Sequence, residues 1–228
     1  THYTASNGIP ELRKAVCEYY ERQFGLKYDP AEVVVDCGAK PLLYEALACL
    51  IDPGDEAPRV LDMVARSGCQ LQYILLTHGH FDHTTAVRPI LEQYPDLPVY
   101  INEKDVVDGR RGDMELVFSR LPEHNQRYYK EGDTLTLGSL TIRVMETPGH
   151  TQGSVCLLVG DVMFSGDTLF RGSCGRTDFA GGDPKAMLAS LDRLAALPGN
   201  YKVYPGHEGA TELDYERRVN PYVRQGMK

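Results

Sequence analysis

The sequence predicts an α/β fold with αβ/βα layering, strands packed between helices and an opposing sheet, preceded by a shorter helix–strand–helix segment. Three observations predict it. From about residue 57 onward, β-prone apolar runs alternate with amphipathic stretches of helical length. Several of those runs stop at a Gly-flanked turn that carries a His or an Asp, the usual way a rigid sheet presents functional side chains. The first fifty residues follow a different pattern, two helical stretches around Val33-Val34-Val35. At 228 residues the chain is long enough for one substantial core or two small ones.

In chain order, a helical stretch runs to Phe24, a strand covers Val33 to Val35, and a second helical stretch covers Pro41 to Leu50. Asp52-Pro53-Gly54-Asp55-Glu56 is a turn. Helices follow at 57–67, 84–94, 184–196 and 211–218, the third announced by Asp183-Pro184, a capping residue followed by a proline that suits the first helical position. Strands are predicted at 72–77, 98–101, 134–137, 140–147, 154–159, 162–166 and 202–205. Leu135 to Ile142 reads as a hairpin with Gly138-Ser139 at its turn. Asp108 to Lys130 is polar and irregular, and reads as a loop over the site.

The chemistry concentrates in Thr77-His78-Gly79-His80-Phe81-Asp82-His83. Imidazole nitrogen and carboxylate oxygen suit zinc, iron and manganese, and a strand-to-helix turn lets close side chains converge. Two further histidines lie in similar turns, His150 in Thr147-Pro148-Gly149-His150-Thr151 and His207 in Tyr204-Pro205-Gly206-His207-Glu208. Asp167, in Phe164-Ser165-Gly166-Asp167-Thr168, ends the apolar run from Val155 to Phe164. Any one of these turns is ordinary, since Asp and His often cap or form turns. Together with the first packet they supply seven donors, enough for two metal ions. His2 and His124 have no such context and read as surface residues.

T-H-x-H-x-D-H followed by P-G-H-T, S-G-D-T and P-G-H resembles the metallo-β-lactamase-fold hydrolases. Leu169-Phe170-Arg171-Gly172-Ser173-Cys174-Gly175-Arg176-Thr177-Asp178 resembles their short glyoxalase II-like branch, the hydroxyacylglutathione hydrolase relatives. The likeness runs from about Asp52 to the C-terminus. It implies a metallo-β-lactamase-type sandwich lacking its usual first strands. It further implies that His78, His80 and His150 hold one divalent ion, that Asp82, His83 and His207 hold a second, and that Asp167 bridges them. Zinc is the implied metal, with iron or manganese as alternatives. Two such ions and a shared carboxylate lower the pKa of a bridging water, and the resulting hydroxide attacks a thioester carbonyl without any Ser or Cys nucleophile. Asp82 is the implied catalytic residue, orienting that hydroxide or shuttling a proton. Arg176 is a candidate for binding an anionic substrate group, or else an ion-pair partner of Asp178 or Asp183. Tyr100 and Tyr128 are candidates for lining a pocket. The implied partner is a small-molecule thioester such as S-lactoylglutathione. The same donors also fit a mononuclear iron persulfide dioxygenase-like enzyme.

Residues 1–51 resemble a different family. Gly8-Ile9-Pro10-Glu11-Leu12-Arg13, the Val33-Val34-Val35 strand leading to Gly38-Ala39-Lys40, and Pro53-Gly54-Asp55-Glu56 are similar to a fold-type I, pyridoxal-phosphate-dependent aminotransferase. Gly38 to Lys40 matches that family's phosphate turn, a helix-N-terminus anion site. The cofactor-bearing lysine has no counterpart, so no pyridoxal phosphate and no aminotransferase activity are expected. Residues 1–51 thus read as an incomplete aminotransferase-like fragment and 52–228 as an N-terminally truncated hydrolase domain. The shared P-G-D-E string marks the join. A natural fusion, a design and an assembly artefact all fit, and an inactive chimera is the reading in which the missing strands leave the donors unassembled.

Composition sets the setting. No apolar run reaches membrane-spanning length and no N-terminal signal pattern is visible, so no membrane partner is expected. A net charge of −8 without a basic stripe argues against nucleic acid. The six cysteines form no C-x-x-C pair, and reduced thiols in a cytoplasmic protein are expected, with Cys174 a bystander in the active-site turn.

Overall fold

The computed structural model describes residues 10–24, 27, 51–67, 70–106, 118–138 and 140–226. The chain divides into two compact units, Thr1–Ala48 and Cys49–Lys228.

In the first unit, helix α1 spans Pro10–Phe24. Proline at its first position costs no hydrogen bond, and Glu, Leu, Arg, Lys and Ala lose little freedom in a helix. Lys14 and Glu18 pair one turn apart at 3.9 Å on its exposed surface. The strand at Val33 to Val35 and the second helix at Pro41 to Leu50 lie outside the described residues.

The second unit begins with helix α2 (Ala57–Ser67), the short strand β1 (Ile74–Leu75), the one-turn helix α3 (Phe81–Thr84), helix α4 (Val87–Gln93) and strand β2 (Val99–Asn102). Strands β3 (Gln126–Tyr129), β4 (Thr134–Leu137), β5 (Leu140–Glu146), β6 (Val155–Val159) and β7 (Val162–Gly166) follow. Next come β8 (Leu169–Phe170), β9 (Ser173–Cys174), helix α5 (Pro184–Ala195), β10 (Lys202–Pro205), β11 (Thr211–Glu212), and helices α6 (Leu213–Val219) and α7 (Pro221–Gly226).

Two sheets form the layers. One is parallel, ordered β1-β2-β3; the other has six strands ordered β11-β10-β7-β6-β5-β4, and β8-β9 is a separate two-stranded ribbon. Every residue of β6 is buried, so both of its faces are covered. On one face Cys156 and Leu158 join Met145 and Met163 against Met187, Leu191 and Leu194 of α5. This is where the apolar side of an amphipathic helix meets a sheet, each buried Leu contributing about 1.5–3 kcal/mol. Two hydrogen bonds tie the six-stranded sheet to the parallel one, Tyr73 Oη to the Thr136 carbonyl at 2.7 Å and Val155 N to the Thr77 carbonyl at 2.9 Å. Tyr129 Oη donates to the Leu76 carbonyl within the parallel sheet's own layer.

Local signals explain the element ends. Asp183 caps α5, its carboxylate accepting from Lys185 N at 2.8 Å and Ala186 N at 3.2 Å, with Pro184 next. Leu137 pairs with Leu140, so the β4–β5 turn opens at Gly138, whose φ of +59° favours glycine.

Three differences from the sequence reading stand out. The helix at 84–94 is two shorter ones, α3 and α4. The span 108–130, read as a loop, contains β3, whose strand character comes from parallel pairing with β2. β8, β9, β11 and α7 are also additions. Among the described residues no strand precedes β1 except a one-residue parallel bridge between Ile51 and Leu75.

Candidate metal centre

Each donor sits just past the end of a strand. β1 leads through Leu76 and Thr77 into His78 and His80, and α3 begins at once, placing Asp82 and His83 on its single turn. His150 lies between β5 and β6, Asp167 directly after β7, and His207 after β10. Glycines bring these loops together. A Cβ on Gly149 would lie 2.4 Å from the Met187 Cα, and one on Gly166 would lie 2.2 Å from Thr77 Oγ1. Gly206 N donates to the Gly166 carbonyl at 2.9 Å, which docks the His207 loop onto the Asp167 turn.

The seven donors converge. His78, His80 and His150 form one group and Asp82, His83 and His207 another, with the donor atoms of each within 4.8 Å of one another. His80 Nδ1 lies 2.8 Å from His150 Nε2, and His207 Nε2 lies 3.1 Å from Asp82 Oδ2. Asp167 stands between the groups, its Oδ1 3.4 Å from His83 Nε2 and its Oδ2 3.4 Å from both His150 Nε2 and His207 Nε2. All three residues of the first group are buried, whereas His207 and Asp82 open to solvent.

Hydrogen bonds on the far side of three rings decide which nitrogen is bare. His150 Nδ1 lies 2.7 Å from the Arg176 carbonyl, which can only accept, so Nδ1 carries the proton and Nε2 offers a lone pair. Likewise His83 Nδ1 donates to Asp52 Oδ2 at 3.0 Å. Thr77 Oγ1 spends its proton on Asp52 Oδ2 at 2.6 Å, so His78 Nδ1 donates to Thr77 Oγ1 at 3.1 Å. His78 Nε2, His83 Nε2 and Asp167 Oδ1 are buried without a well-formed hydrogen bond. Buried polar atoms are rarely left so, and three aimed into one histidine- and carboxylate-lined space fit divalent cations of the zinc, iron or manganese class.

Electrostatics point the same way. Burial, with the neighbouring His83 and His150, holds His78 well below the usual imidazole range, and burial with His150 brings His80 down to about 4. For His83 burial also pulls downward, but Asp52 and Asp167 outweigh it and hold the ring up at about 10. Burial pushes Asp167 upward, and His83 more than offsets it, keeping the carboxylate below its ordinary value. The two carboxylates thus favour positive charge at His83, between Asp52 and Asp167, while His78 and His80 stay neutral, and a divalent ion beside His83 Nε2 would meet that same attraction.

Other predicted residues fall elsewhere. The Arg176 guanidinium is exposed and forks onto Asp178 at 2.7 and 2.6 Å, resting 3.9 Å over the Phe179 ring, and Asp183 instead caps α5. Phe179 in turn meets His80 edge-on at 5.8 Å, and Phe170 meets His207 at 6.1 Å, so aromatic rings flank the donors. Tyr100 and Tyr128 line a cleft of about 430 Å³ with Tyr129 and residues 132–135, which contains none of the seven donors. His124 is exposed, its Nε2 3.1 Å from the Pro95 carbonyl. Sequence reasoning missed the residues that hold the donors, Asp52, Thr77 and Asp105. In the turn before Pro53-Gly54, Asp52 adopts φ +45°, an uncommon value for a residue with a side chain that only the structure reveals.

Residues 45–207 match the Metallo-beta-lactamase superfamily, and the chain belongs to that superfamily. Membership and the histidine-rich donor set together define a divalent-metal hydrolase fold. A hydroxyacylglutathione hydrolase of Cupriavidus metallidurans is 42% identical over 168 residues, covering 71% of this chain and 59% of that protein's length. Hydroxyacylglutathione hydrolase GloC of Haemophilus influenzae is 32% identical over 197 residues, covering 78% and 88%. Among solved structures, BLEG-1 B3 metallo-beta-lactamase superposes with TM-score 0.66 at 33% identity, covering 76% of this chain and 87% of that one. The di-iron-bound form of TTHA1623 gives 0.64 at 41%, covering 75% and 87%. ETHE1 from Myxococcus xanthus gives 0.63 at 34%, covering 77% and 73%. Residues 1–58 match aminotransferase class I and II, so the two family matches overlap over residues 45–58.

Proposed function

We propose that this chain is a two-metal thioester hydrolase of the hydroxyacylglutathione hydrolase type. The observation that carries the reading is Asp167, set 3.4 Å from His83, His150 and His207 between two donor groups. The named hydroxyacylglutathione hydrolases among the relatives support the substrate class. His78 Nε2, His80 Nδ1 and His150 Nε2 would hold one ion, Asp82, His83 and His207 the other, and Asp167 both.

Bound there, divalent ions would supply a water acidic enough to ionise near neutral pH and an electrophile for the carbonyl oxygen. The protein's own groups supply the rest. Asp52, Thr77 and the Arg176 carbonyl keep the Nδ1 protons of three rings in place and so fix which lone pairs would face the ions. Asp82, whose Oδ2 belongs to the donor group beside His207, offers its second oxygen, Oδ1, to take up the proton that the water loses on ionising, and passes it to the departing thiolate or to bulk. Phe170 and Phe179 exclude water from the flanks of the reacting bond. Cys174 plays no nucleophilic part, since burial pushes its thiol up to about 11. The partner is a small thioester, and neither nucleic acid nor membrane is involved.

A second reading, an iron enzyme that oxidises persulfides with a single metal, has support in the likeness to ETHE1, while the di-iron-bound form of TTHA1623 supports iron as the metal but with two ions. One experiment separates them, combining metal-to-protein ratio, hydrolysis of S-lactoylglutathione and persulfide-dependent oxygen uptake. Two ions with hydrolysis support the thioesterase; one iron with oxygen uptake overturns it. For residues 1–51 we propose an aminotransferase-derived piece joined at Pro53 to Glu56. Sequencing the source locus across codons 45–60 tests this, and an uninterrupted hydrolase N-terminus there would refute a natural fusion.

A further inference from the structure

Asp105 closes a short 3-10 turn, Glu103–Asp105, directly after β2, and is 7% exposed. Its two carboxylate oxygens collect donors from two loops distant in sequence. Oδ2 accepts from Gly79 N at 3.0 Å and from Thr151 Oγ1 at 2.9 Å, and Oδ1 accepts from Gly153 N at 2.7 Å. Gly79 is the residue between His78 and His80; Thr151 follows His150, and Gly153 lies in the same turn. The approach is built into the sequence, because a Cβ on Gly153 would lie 2.6 Å from Asp105 Oδ1. These three contacts go to the loops bearing the His78, His80 and His150 donors. None of the three goes to α3 or to the His207 loop.

We propose that Asp105 is a positioning residue that clamps the His78–His80 segment to the His150 turn, fixing the 2.8 Å approach of His80 Nδ1 to His150 Nε2. It thereby sets the affinity of one donor group and leaves the Asp82, His83 and His207 group to Asp52. Hydrogen bonds to a carboxylate are among the stronger ones, and partners behind the ligands are what hold ligands in register. This inference rests on reading the donors as a two-metal centre.

Asp105→Asn tests it with little change of shape. Whichever way the amide sits, its NH2 faces either the Gly79 or the Gly153 peptide N–H, so one strand of the clamp must open. The full chain, stripped of metal, is titrated with zinc and with cobalt, whose visible absorption reports ligand geometry. Asp105→Asn should lose about tenfold or more in affinity at one of two sites, with altered absorption for that ion, and keep the other site at the wild-type value. Thr151→Val, which removes one of the three bonds, should give a smaller loss at the same site. As a control for general destabilisation, Leu158→Ala in the α5 cluster should lower the melting temperature and leave both affinities in place. Wild-type affinities and absorption in both Asp105→Asn and Thr151→Val, or equal losses at the two sites, would overturn the proposal alone. A wild-type chain that takes up fewer than two ions would overturn the two-metal reading and this inference with it.

Discussion

At His80 a single nitrogen decides the chemistry. Its Nδ1 faces His150 Nε2 at 2.8 Å, and two lone pairs cannot share that distance without a proton or a cation between them. His80→Ala should abolish metal-dependent hydrolysis and remove one ion from the titration, whereas His124→Ala, on an exposed ring, should leave both unchanged; equal effects would contradict the assignment. Cys174 gives a pH test with a definite sign. Only the thiolate alkylates, and a thiol raised to about 11 is almost wholly protonated at neutral pH. Iodoacetamide labelling there should therefore be slow at pH 7 and climb about tenfold per pH unit, while Cys174→Ser should keep full activity. Rapid labelling at pH 7 would show an activated thiol. The seven donors were legible in the sequence because each lies beside its own glycine or in one short packet. Asp52 and Asp105 were not, since their partners lie 25 to 48 positions away and only folding joins them.

Strand ends and tight loops carry the next level of organisation. Gly206 packs so closely that a Cβ would lie 2.4 Å from both Asp167 Oδ1 and His83 Cε1. Gly206→Ala should therefore cost about 1–3 kcal/mol in thermal stability and weaken metal uptake together. Circular dichroism melting beside a zinc titration reads both, and unchanged values would mean that the loop yields freely. Amphipathic α5 was legible from its helical periodicity, and β6 and β7 from continuous apolar runs that match their nearly complete burial. β3 was not: Gln126-Arg127-Tyr128-Tyr129 exposes its middle residues, and its conformation is imposed by β2 alongside.

Across the whole molecule, all seven donors and the residues that orient them belong to the 49–228 unit. Deleting residues 1–48 should accordingly leave the metal-to-protein ratio and the cobalt absorption unchanged. Loss of folding on deletion, read by circular dichroism, would contradict that expectation and show that the second unit needs the first. No helix among the described residues is long and apolar enough to cross a membrane.

Asp52 gives that division a sharper edge. Its carboxylate receives Thr77 N, Thr77 Oγ1 and His83 Nδ1, yet it stands four positions past Ala48, inside the stretch that both family matches share. The seven donors, and the Asp52, Thr77 and Arg176 groups that orient three of their rings, all lie at or beyond this residue. Losing that carboxylate would strip His83 of its orientation, so the donor cluster depends on a side chain that stands within the stretch shared by both matches.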